Sequence, residues 1–502
     1  MPEGSSTIKL SELGELVARE MGLHFPPERW RDLERGLRSA AGAFGFADTH
    51  ACARWLLSAP LTRGQIEVLA SHLTIGETYF FREPQSFEII EQEIIPGLLR
   101  SRRNGESRLR IWSAGCATGE EPYSIAIVLH RAIPDLAEWN ITLLATDINP
   151  QFLEKAAIGV YSDWSFRGMP SGVRERYFQR RKDGRFEILP CVRKMVTFSH
   201  LNLADDAYPS LWNNTNAMDI VFCRNVLMYF APAQAQKVVR NLHHSLVERG
   251  WLLVSPSEAS QTLFSSFVAV NRPGATLYRK DAWTQPMHEE APPGGAALPW
   301  PLPPAASEAG LDPGFAENSD AQPMVSAGES ERAVPEGDSA DEPLILYEQG
   351  RYREAAESLQ ASLSRHPSDI EGMTLLVRAY ANQGKLAEAL EWCEKAVAVD
   401  KVNSATHYLR AILLQEQGAT GEAEAAFRRT LYLDPQFVLA HVALGNLARQ
   451  RGDRKRSAKH FENALGLLNR HPPEHPLPEC EGITAGRLRE VIQAAVERGV
   501  DG

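Results

Sequence analysis

A glycine that recurs every 34 residues constrains the C-terminal half of this chain more than any other feature of the sequence. The glycine stands before helix-start sequences such as GRYREAA and GKLAEAL, at Gly350, Gly384, Gly418 and Gly452. A small residue also lies four positions before a larger one in each unit, at Ala355/Leu359, Ala389/Cys393, Ala423/Phe427 and Ser457/Phe461. A period of this length is typical of helix pairs that bury their apolar faces only against their neighbours. The sequence therefore predicts an all-α solenoid.

The repeating unit resembles the tetratricopeptide repeat, and the resemblance covers about residues 336–469 in four units. We place the repeat domain at 342–470, followed by a capping helix and tail at 471–502. The resemblance implies a surface for protein–protein interaction. It does not identify the partner.

The charge of the chain is concentrated in one segment. The net charge is −11, but residues 284–341 contain one basic and 11 acidic residues, whereas residues 1–283 contain 32 basic and 31 acidic residues. The acidic segment is also rich in proline and glycine, a composition that cannot bury enough apolar surface to fold. We predict a disordered linker at 283–341. Because its charges repel one another, we expect it to stay extended and to hold the repeats away from the rest of the protein.

The N-terminal half combines helical and alternating patterns. Residues 1–85 show helical periodicity, and strand-like runs such as RLRIWSAG and NITLLATDIN then alternate with helical segments up to residue 282. Such alternation predicts a mostly parallel sheet with helices on both faces. The predicted fold class is multidomain, with an all-α N-terminal domain at 1–85, an α/β doubly wound domain at 86–282, the linker and the solenoid.

The cysteine and hydrophobic patterns indicate the cellular location of the protein. The six cysteines include no CxxC pair and no Cys/His spacing suited to zinc, so we expect neither a disulfide framework nor a metal site. The N-terminus lacks a signal-peptide pattern, and no apolar run approaches the ~20 residues that span a bilayer. These patterns favour a cytoplasmic protein without membrane insertion.

The turn after the first predicted strand of the α/β domain indicates a ligand site. Ligands of open α/β sheets bind at the carboxyl ends of strands, but the turn AGCATG is not the dinucleotide fingerprint GxGxxG. Glu120 and Glu121 follow the turn and would repel a pyrophosphate. Asp147 ends the next strand, where a carboxylate can accept both ribose hydroxyls; the alternative is that Asp147 caps the following helix. A nucleoside without phosphates fits this pattern, and S-adenosylmethionine is the leading candidate.

Four motifs resemble the CheR family of chemotaxis-receptor glutamate methyltransferases: SHLTIGETYFFRE, WSAGCATGEEPYSIAI, ATDIN and FCRNVLMYF. The resemblance covers about residues 10–282 and implies an S-adenosylmethionine-dependent methyltransferase domain with a small β-subdomain inserted at about 165–198. By position, it also implies a set of cofactor-binding residues. These are Thr78, Arg82, Glu121, Asp147, Asn202, Leu203, Arg224 and Asn225.

The resemblance further places Arg82 and Tyr229 at the reaction centre. A glutamate carboxylate is already anionic at neutral pH, since its reference pKa is about 4.3, so methyl transfer to it needs no general base. The site must instead align the two reactants. An arginine fork can hold a carboxylate and a tyrosine hydroxyl can donate to one of its oxygens, which makes these residues our candidates for orientation. The alternative for Tyr229 and Phe230 is that they are simple core aromatics.

Two basic regions suggest how a protein substrate is recognised. Arg31, Arg35 and Arg38 share a face of one predicted helix, as a solvated face or as a stripe for an acidic partner. Residues 167–194 carry nine basic residues against three acidic ones. Both regions suit the acidic cytoplasmic coiled coil of a methyl-accepting chemoreceptor. Relative to family members that tether to a receptor's C-terminal pentapeptide, this loop is a few residues short, which favours independence from that peptide.

Members of the family with such repeats resemble enzymes of alternative chemosensory pathways, such as the Wsp surface-sensing and biofilm system. Two other functions remain open at this stage. One is a methyltransferase for a small molecule or nucleic acid, although no aromatic strand platform for nucleic acid is seen. The other is a catalytically silent scaffold that binds partners through its repeats.

Overall fold

The computed structural model describes residues 10–102, 107–281 and 342–473, and residues 475, 477, 484–486, 488–489, 492–493 and 496 beyond them. The predicted linker at 283–341 lies outside the described residues.

Four helices form the N-terminal region, and their ends follow local capping rules. Asp48 accepts hydrogen bonds from the backbone N–H groups of His50 and Ala51 at the start of the third helix, and Thr62 forms a capping box with Gln65 at the start of the fourth. Their apolar faces form one cluster. The helices are α1 (Leu10–Met21), α2 (Trp30–Ala43), α3 (Thr49–Leu56) and α4 (Arg63–Leu73).

A seven-stranded mixed sheet forms the centre of the molecule. Its strands are β1 (Arg108–Ala114), β2 (Asn140–Asp147), β6 (Val196–His200), β7 (Met218–Phe222), β8 (Leu246–Leu253), β9 (Val268–Arg272) and β10 (Ala275–Arg279). The strand order is β6-β2-β1-β7-β8-β10-β9. The first five strands are parallel and β10 and β9 are antiparallel. All seven residues of β1 are buried, as expected for a central strand.

Helices join the strands of the sheet and cover it. They are α5 (Pro84–Ile89), a π-helical turn (Ile90–Ile94), α6 (Ile95–Arg102), α7 (Glu120–Ala132), α8 (Pro150–Ile158) and α11 (Pro232–Ser245). Two apolar clusters of buried side chains surround the sheet. The carboxyl ends of β1, β2 and β7 therefore meet along one edge of a packed core.

A second, three-stranded sheet is inserted between α8 and β6. It comprises β3 (Val160–Tyr161), β4 (Phe178–Arg180) and β5 (Phe186–Ile188) in the order β3-β5-β4, with the short helices α9 (Val173–Tyr177) and α10 (Pro190–Arg193) beside it. Gly184 has a φ of 82° in the turn between β4 and β5. The KDG sequence thus forms the hairpin turn between β4 and β5.

The C-terminal region consists of four helix pairs, as the 34-residue period predicts. The helices are α12 (Glu342–Glu348), α13 (Tyr352–Arg365), α14 (Ile370–Asn382), α15 (Leu386–Val399), α16 (Ser404–Glu416), α17 (Thr420–Leu433), α18 (Val438–Gln450) and α19 (Arg454–Leu468). The repeated glycines have φ values of 72–82° in the turns within each pair, a conformation that favours glycine. Beyond the last repeat, Ala485, Leu488 and Ile492 are buried against its apolar cluster, as a cap requires.

The predicted fold class is confirmed, with helices first, an α/β sheet domain next and a solenoid last. The expectation that the linker holds the repeats away from the sheet domain is wrong. Arg108 at the start of β1 forms an ion pair with Glu416 at the end of α16, at 3.1 Å. In the described residues, no helix has the length and apolarity needed to cross a bilayer.

Candidate functional site

A cleft of about 1080 Å³, including its open mouth, lies at the carboxyl ends of β1, β2 and β7. Helix α1, the segment after α4 and the 3₁₀ turn Leu227–Tyr229 complete its walls. All nine residues that the sequence singled out line this one cleft: Thr78, Arg82, Glu121, Asp147, Asn202, Leu203, Arg224, Asn225 and Tyr229. The structure thus brings the predicted set together, while the role of each residue stays a prediction.

The floor of the cleft is formed where the turns after β1 and β2 are hydrogen-bonded to each other. The carboxylate of Asp147 accepts hydrogen bonds from the N–H groups of Ala117 and Asn149, both at 2.9 Å. Asn149 rather than Asp147 caps α8, because its side chain accepts from Gln151 and Phe152. The capping alternative for Asp147 is therefore wrong. Burial raises the pKa of Asp147 to about 6.

The two adjacent glutamates at the start of α7 have different environments. Glu121 lines the cleft, and its carboxylate accepts from the hydroxyl of Ser113 at 2.8 Å. Glu120 is buried elsewhere and accepts from the hydroxyls of Thr118 at 2.6 Å and Ser165 at 2.9 Å. Burial raises the pKa of both carboxyls. Of these two glutamates, Glu121 therefore faces the ligand space and Glu120 does not.

A buried arginine connects the cleft floor to the segment before α5. Arg224 lies 3.3 Å from Glu121 and 2.9 Å from Glu83, and it also donates to the backbone carbonyl of Arg82. The Nε atom of Arg224 is buried and has no hydrogen-bond partner in the described residues. Arg224 therefore holds the backbone of Arg82 in place. It also balances the negative charges of Glu121 and Glu83.

The mouth of the cleft carries cations and an aromatic ring. The guanidinium of Arg82 is half-buried and donates to the carbonyl oxygen of Glu77 at 2.7 Å. Arg29 lies 5.8 Å from the centre of the Tyr229 ring. Burial raises the pKa of Tyr229, so its hydroxyl keeps its proton at neutral pH. Sequence reasoning missed Arg29, which lies just outside the Arg31/Arg35/Arg38 set and carries no motif.

Asn202 uses its side chain to support the structure of the site. Its amide nitrogen donates to the carbonyl oxygen of Glu20 at 2.8 Å and to Asp205 at 2.9 Å, and its amide oxygen accepts from the N–H of Ala204 at 3.1 Å. It therefore ties α1 to the cleft wall. Its neighbour Leu203 is buried and contributes an apolar surface to the cleft.

A glutamate that the sequence analysis missed holds the loop after β7. The carboxylate of Glu258 accepts hydrogen bonds from the N–H groups of Asn225 at 2.6 Å, Val226 at 2.7 Å and Met228 at 3.2 Å. Asn225 has a φ of 57°, a strained conformation for a residue other than glycine. Glu258 is 1 % exposed. The only sequence signal is the SPSE sequence after β8, in which Ser255 and Glu258 form a capping box.

The two basic surfaces, on α2 and on the inserted sheet, differ in how far their charges are paired with neighbouring acidic residues. Arg35 pairs with Asp32 at 2.7 Å and Arg38 with Glu34 at 3.0 Å, all on α2, so this face is largely balanced by its own helix. In the inserted sheet, some arginines pair locally, as Arg185 does with Asp183 at 2.7 Å. Other basic residues there are exposed, and they are Arg176, Arg180, Lys182 and Lys194.

Comparison with known proteins decides the family. The model of the CheR methyltransferase SAM-binding domain matches residues 76–273, and the tetratricopeptide repeat model matches residues 344–405 and 408–472. "Chemotaxis protein methyltransferase 2" of Vibrio cholerae is 35 % identical over 203 residues, which are 40 % of this chain and 69 % of that protein. This chain belongs to the CheR methyltransferase family.

Two Pseudomonas aeruginosa proteins extend the comparison. "Chemotaxis protein methyltransferase 1" is 34 % identical over 224 residues, covering 43 % of this chain and 78 % of that protein. "Probable biofilm formation methyltransferase WspC" is 30 % identical over 413 residues, covering 81 % of this chain and 87 % of that protein. The similarity to WspC spans both the CheR domain and the repeats. The chain is thus an S-adenosylmethionine-dependent methyltransferase of the CheR family with tetratricopeptide repeats.

Proposed function

We propose that the protein transfers the methyl group of S-adenosylmethionine to glutamate side chains in the cytoplasmic domain of a methyl-accepting chemoreceptor. The observation that carries the proposal is the distribution of charge in the cleft. Its floor holds the buried carboxylate of Asp147 and the partly buried carboxylate of Glu121, and its mouth holds the guanidiniums of Arg29 and Arg82. An acidic floor suits a ligand with hydroxyls and a positive charge, whereas a cationic mouth suits an incoming carboxylate.

The residues of the cleft fit S-adenosylmethionine. Asp147 has a carboxylate at the end of β2 for the ribose hydroxyls, and Glu121 has one for the positively charged amino-acid portion. Leu203 and Val226 add apolar surface suited to an adenine ring. When bound, S-adenosylmethionine supplies an electrophilic methyl group. Arg224 and Asn225 then complete the binding wall in this proposal.

The residues of the protein orient the substrate carboxylate. Arg82 can hold one carboxylate oxygen through its guanidinium, and the protonated hydroxyl of Tyr229 can donate to the same group. Holding two reactants in line contributes on the order of 7–11 kcal/mol to such a reaction. The substrate is nucleophilic without proton removal, so none of these residues acts as a base. Thr78 lies at the same mouth and adds a hydroxyl to the wall.

The exposed basic residues of the inserted sheet supply the docking surface for the receptor in this proposal. The acidic coiled coil of a receptor would face Arg176, Arg180 and Lys182, so binding should weaken as salt rises. We infer that docking does not depend on a C-terminal pentapeptide. Calorimetric titration with such a peptide tests this point, and clear micromolar binding would contradict it.

The repeats are proposed to bind a second protein, and the pathway is proposed to be of the Wsp type. Support comes from the similarity to the protein named WspC, which includes the repeats as well as the CheR domain. A catalytically silent scaffold is disfavoured, because Arg82, Glu121, Asp147 and Tyr229 share one open cleft. A small-molecule or nucleic-acid substrate gains no specific support from the site.

Incubation with radiolabelled S-adenosylmethionine and membranes that contain candidate receptors tests the proposal. We expect receptor-bound label that base releases as methanol, the behaviour of a methyl ester. Receptors whose methyl-accepting glutamates are replaced by alanine provide the matched control and should stay unlabelled. If every receptor stays unlabelled although the protein binds the cofactor, the scaffold function replaces this one.

A further inference from the structure

The repeats touch the sheet domain at intervals that match the repeat period. A Cβ at Gly350 would lie 2.2 Å from the ring of His244, and the carbonyl oxygen of Gly384 accepts from Arg108 at 3.2 Å. A Cβ at Gly418 would lie 3.4 Å from the amide of Asn140. The turns inside the first three helix pairs therefore form one contact edge, which we call the turn edge. At Gly350 a Cβ would overlap the ring of His244, whereas at Gly418 it would make only ordinary contact, so the positive φ of the turns is the common reason for glycine.

The turn of the fourth helix pair does not take part in this contact. A Cβ at Gly452, the corresponding glycine, would meet no atom within 4 Å in the described residues. The turn edge thus ends at the third repeat. The array has one docked part and one part that projects beyond the contact.

A single buried carboxylate determines the charge of the contact. The side chain of Glu416 is 6 % exposed and lies 3.1 Å from Arg108 and 3.9 Å from Arg110, whose side chains are 8 % and 1 % exposed. One step of the repeat away, the equivalent positions are the uncharged Asn382 and Gln450. Two nearly buried guanidiniums need a nearby anion, and Glu416 supplies one from the repeats.

A loop of the sheet domain adds an apolar anchor. Arg110 donates to the side chain of Asn214 at 2.6 Å and to the carbonyl oxygen of Asn216 at 3.1 Å, which orders the loop 210–216. Within it, Leu211 is buried in the apolar cluster that α13–α16 form, and Trp212 packs against the cluster that α16–α19 form. Two adjacent side chains therefore reach both apolar clusters of the array.

We propose that the turn edge is a docking surface for the sheet domain of the same chain, specified by Glu416 and anchored by Leu211 and Trp212. The enzyme then works as one body with its repeats and not as two domains on a tether. Arg108 and Asn140 begin β1 and β2, whereas the cleft lies where these strands end. Docking consequently leaves the cleft mouth and the fourth repeat accessible to two different proteins at once.

The test uses the full chain with a protease recognition sequence inserted in the segment 286–341. After purification and cleavage, the two halves of the unmodified protein should co-elute on size exclusion at micromolar concentration. Glu416→Lys should raise the dissociation constant of the halves roughly 30-fold or more, because it places a third cation in the contact. Gln450→Lys places a lysine at the equivalent position of the fourth repeat and should leave co-elution intact.

Trp212→Ala provides a second measurement that does not alter a buried charge. It should also weaken co-elution, while the circular dichroism spectra of the variant and the unmodified chain match. Separation of the unmodified halves would overturn the proposal. So would equal behaviour of Glu416→Lys and Gln450→Lys, because charge at the turn edge would then not specify the contact.

Discussion

Two buried arginines, Arg224 in the cleft and Arg110 on β1 beside Glu416, show how one residue type can serve a ligand or the fold. Their side chains are 2 % and 1 % exposed. Arg110 donates to backbone and side-chain oxygens of Asn214 and Asn216. Arg224 pairs with cleft carboxylates but keeps a buried Nε without a partner in the described part of the chain. The arginine with satisfied donors stabilises the contact, whereas the other lies beside the ligand space with hydrogen-bonding capacity to spare.

The largest expected effect is at the turn edge. Arg110→Met keeps much of the side-chain volume but leaves the oxygens of Asn214 and Asn216 without their donor and removes one of the two cations beside Glu416. The free energy of unfolding should therefore fall by about 3–5 kcal/mol. Denaturant unfolding measures this change. Methyl transfer per folded molecule should stay near normal, because Arg110 is remote from the cleft mouth. Arg176→Met, at an exposed arginine, is the control, and equal losses in both variants would refute the special role of Arg110.

At the cleft mouth we expect a smaller change in the free energy of unfolding but a clearer loss of activity. Arg82→Ala should lower kcat roughly 100- to 1000-fold, because it removes a donor that orients the substrate carboxylate. Stability should change little, since Arg82 is half-buried. Steady-state kinetics and cofactor titration separate the two effects. A collapse of cofactor affinity with normal turnover at saturation would show that Arg82 binds the cofactor only.

Glu258 is intermediate between these two cases. It does not line the cleft, but it holds the loop in which Asn225 has a strained backbone conformation. Glu258→Gln should reduce the free energy of unfolding by about 1.5–3 kcal/mol, since an amide group replaces a carboxylate that accepts four backbone N–H bonds. It should also raise KM for the cofactor more than it lowers kcat, because it acts through the cleft wall. Glu258→Asp should restore part of both values. Glu248→Gln, on the exposed part of β8, should change neither.

Features with a local cause could be predicted from the sequence. The period of the glycines predicted the repeats because each glycine meets a steric need of its own turn. Asp147 and Glu121 were found because a strand end and a helix start are recognisable in sequence, and topology then places both at one edge of the sheet. The mostly parallel character of the sheet follows the same logic, because it was predicted from the alternation of strands and helices.

Features that depend on distant residues could not be predicted. Glu416 meets Arg108 across 308 positions of chain, and nothing near Glu416 distinguishes it from other charged residues of a helix end. Glu120 and Glu121 are adjacent in sequence, yet a helix directs consecutive side chains about 100° apart, so only one reaches the cleft. Arg29 enters the site because the segment after α1 is hydrogen-bonded to the loop after β7, through the N–H of His24 and the carbonyl oxygen of Tyr229.

The smallest expected effect is a pH dependence of cofactor binding. Substitutions in the cleft should change this dependence, whereas substitutions at the turn edge should not. Burial raises the pKa of Asp147 to about 6, so below that pH the carboxyl takes up a proton in the free protein. Binding of a cation with two ribose hydroxyls needs the ionised form, and affinity should therefore fall by up to about tenfold per pH unit below 6 and stay level above 7. Calorimetric titration from pH 5 to pH 8 checks this expectation.

The variant Asp147→Asn should bind the cofactor weakly at every pH and should lack that slope, whereas Gln450→Lys should keep the pH profile of the unmodified protein. An unchanged slope in Asp147→Asn would assign the titration to Glu121, whose pKa burial also raises.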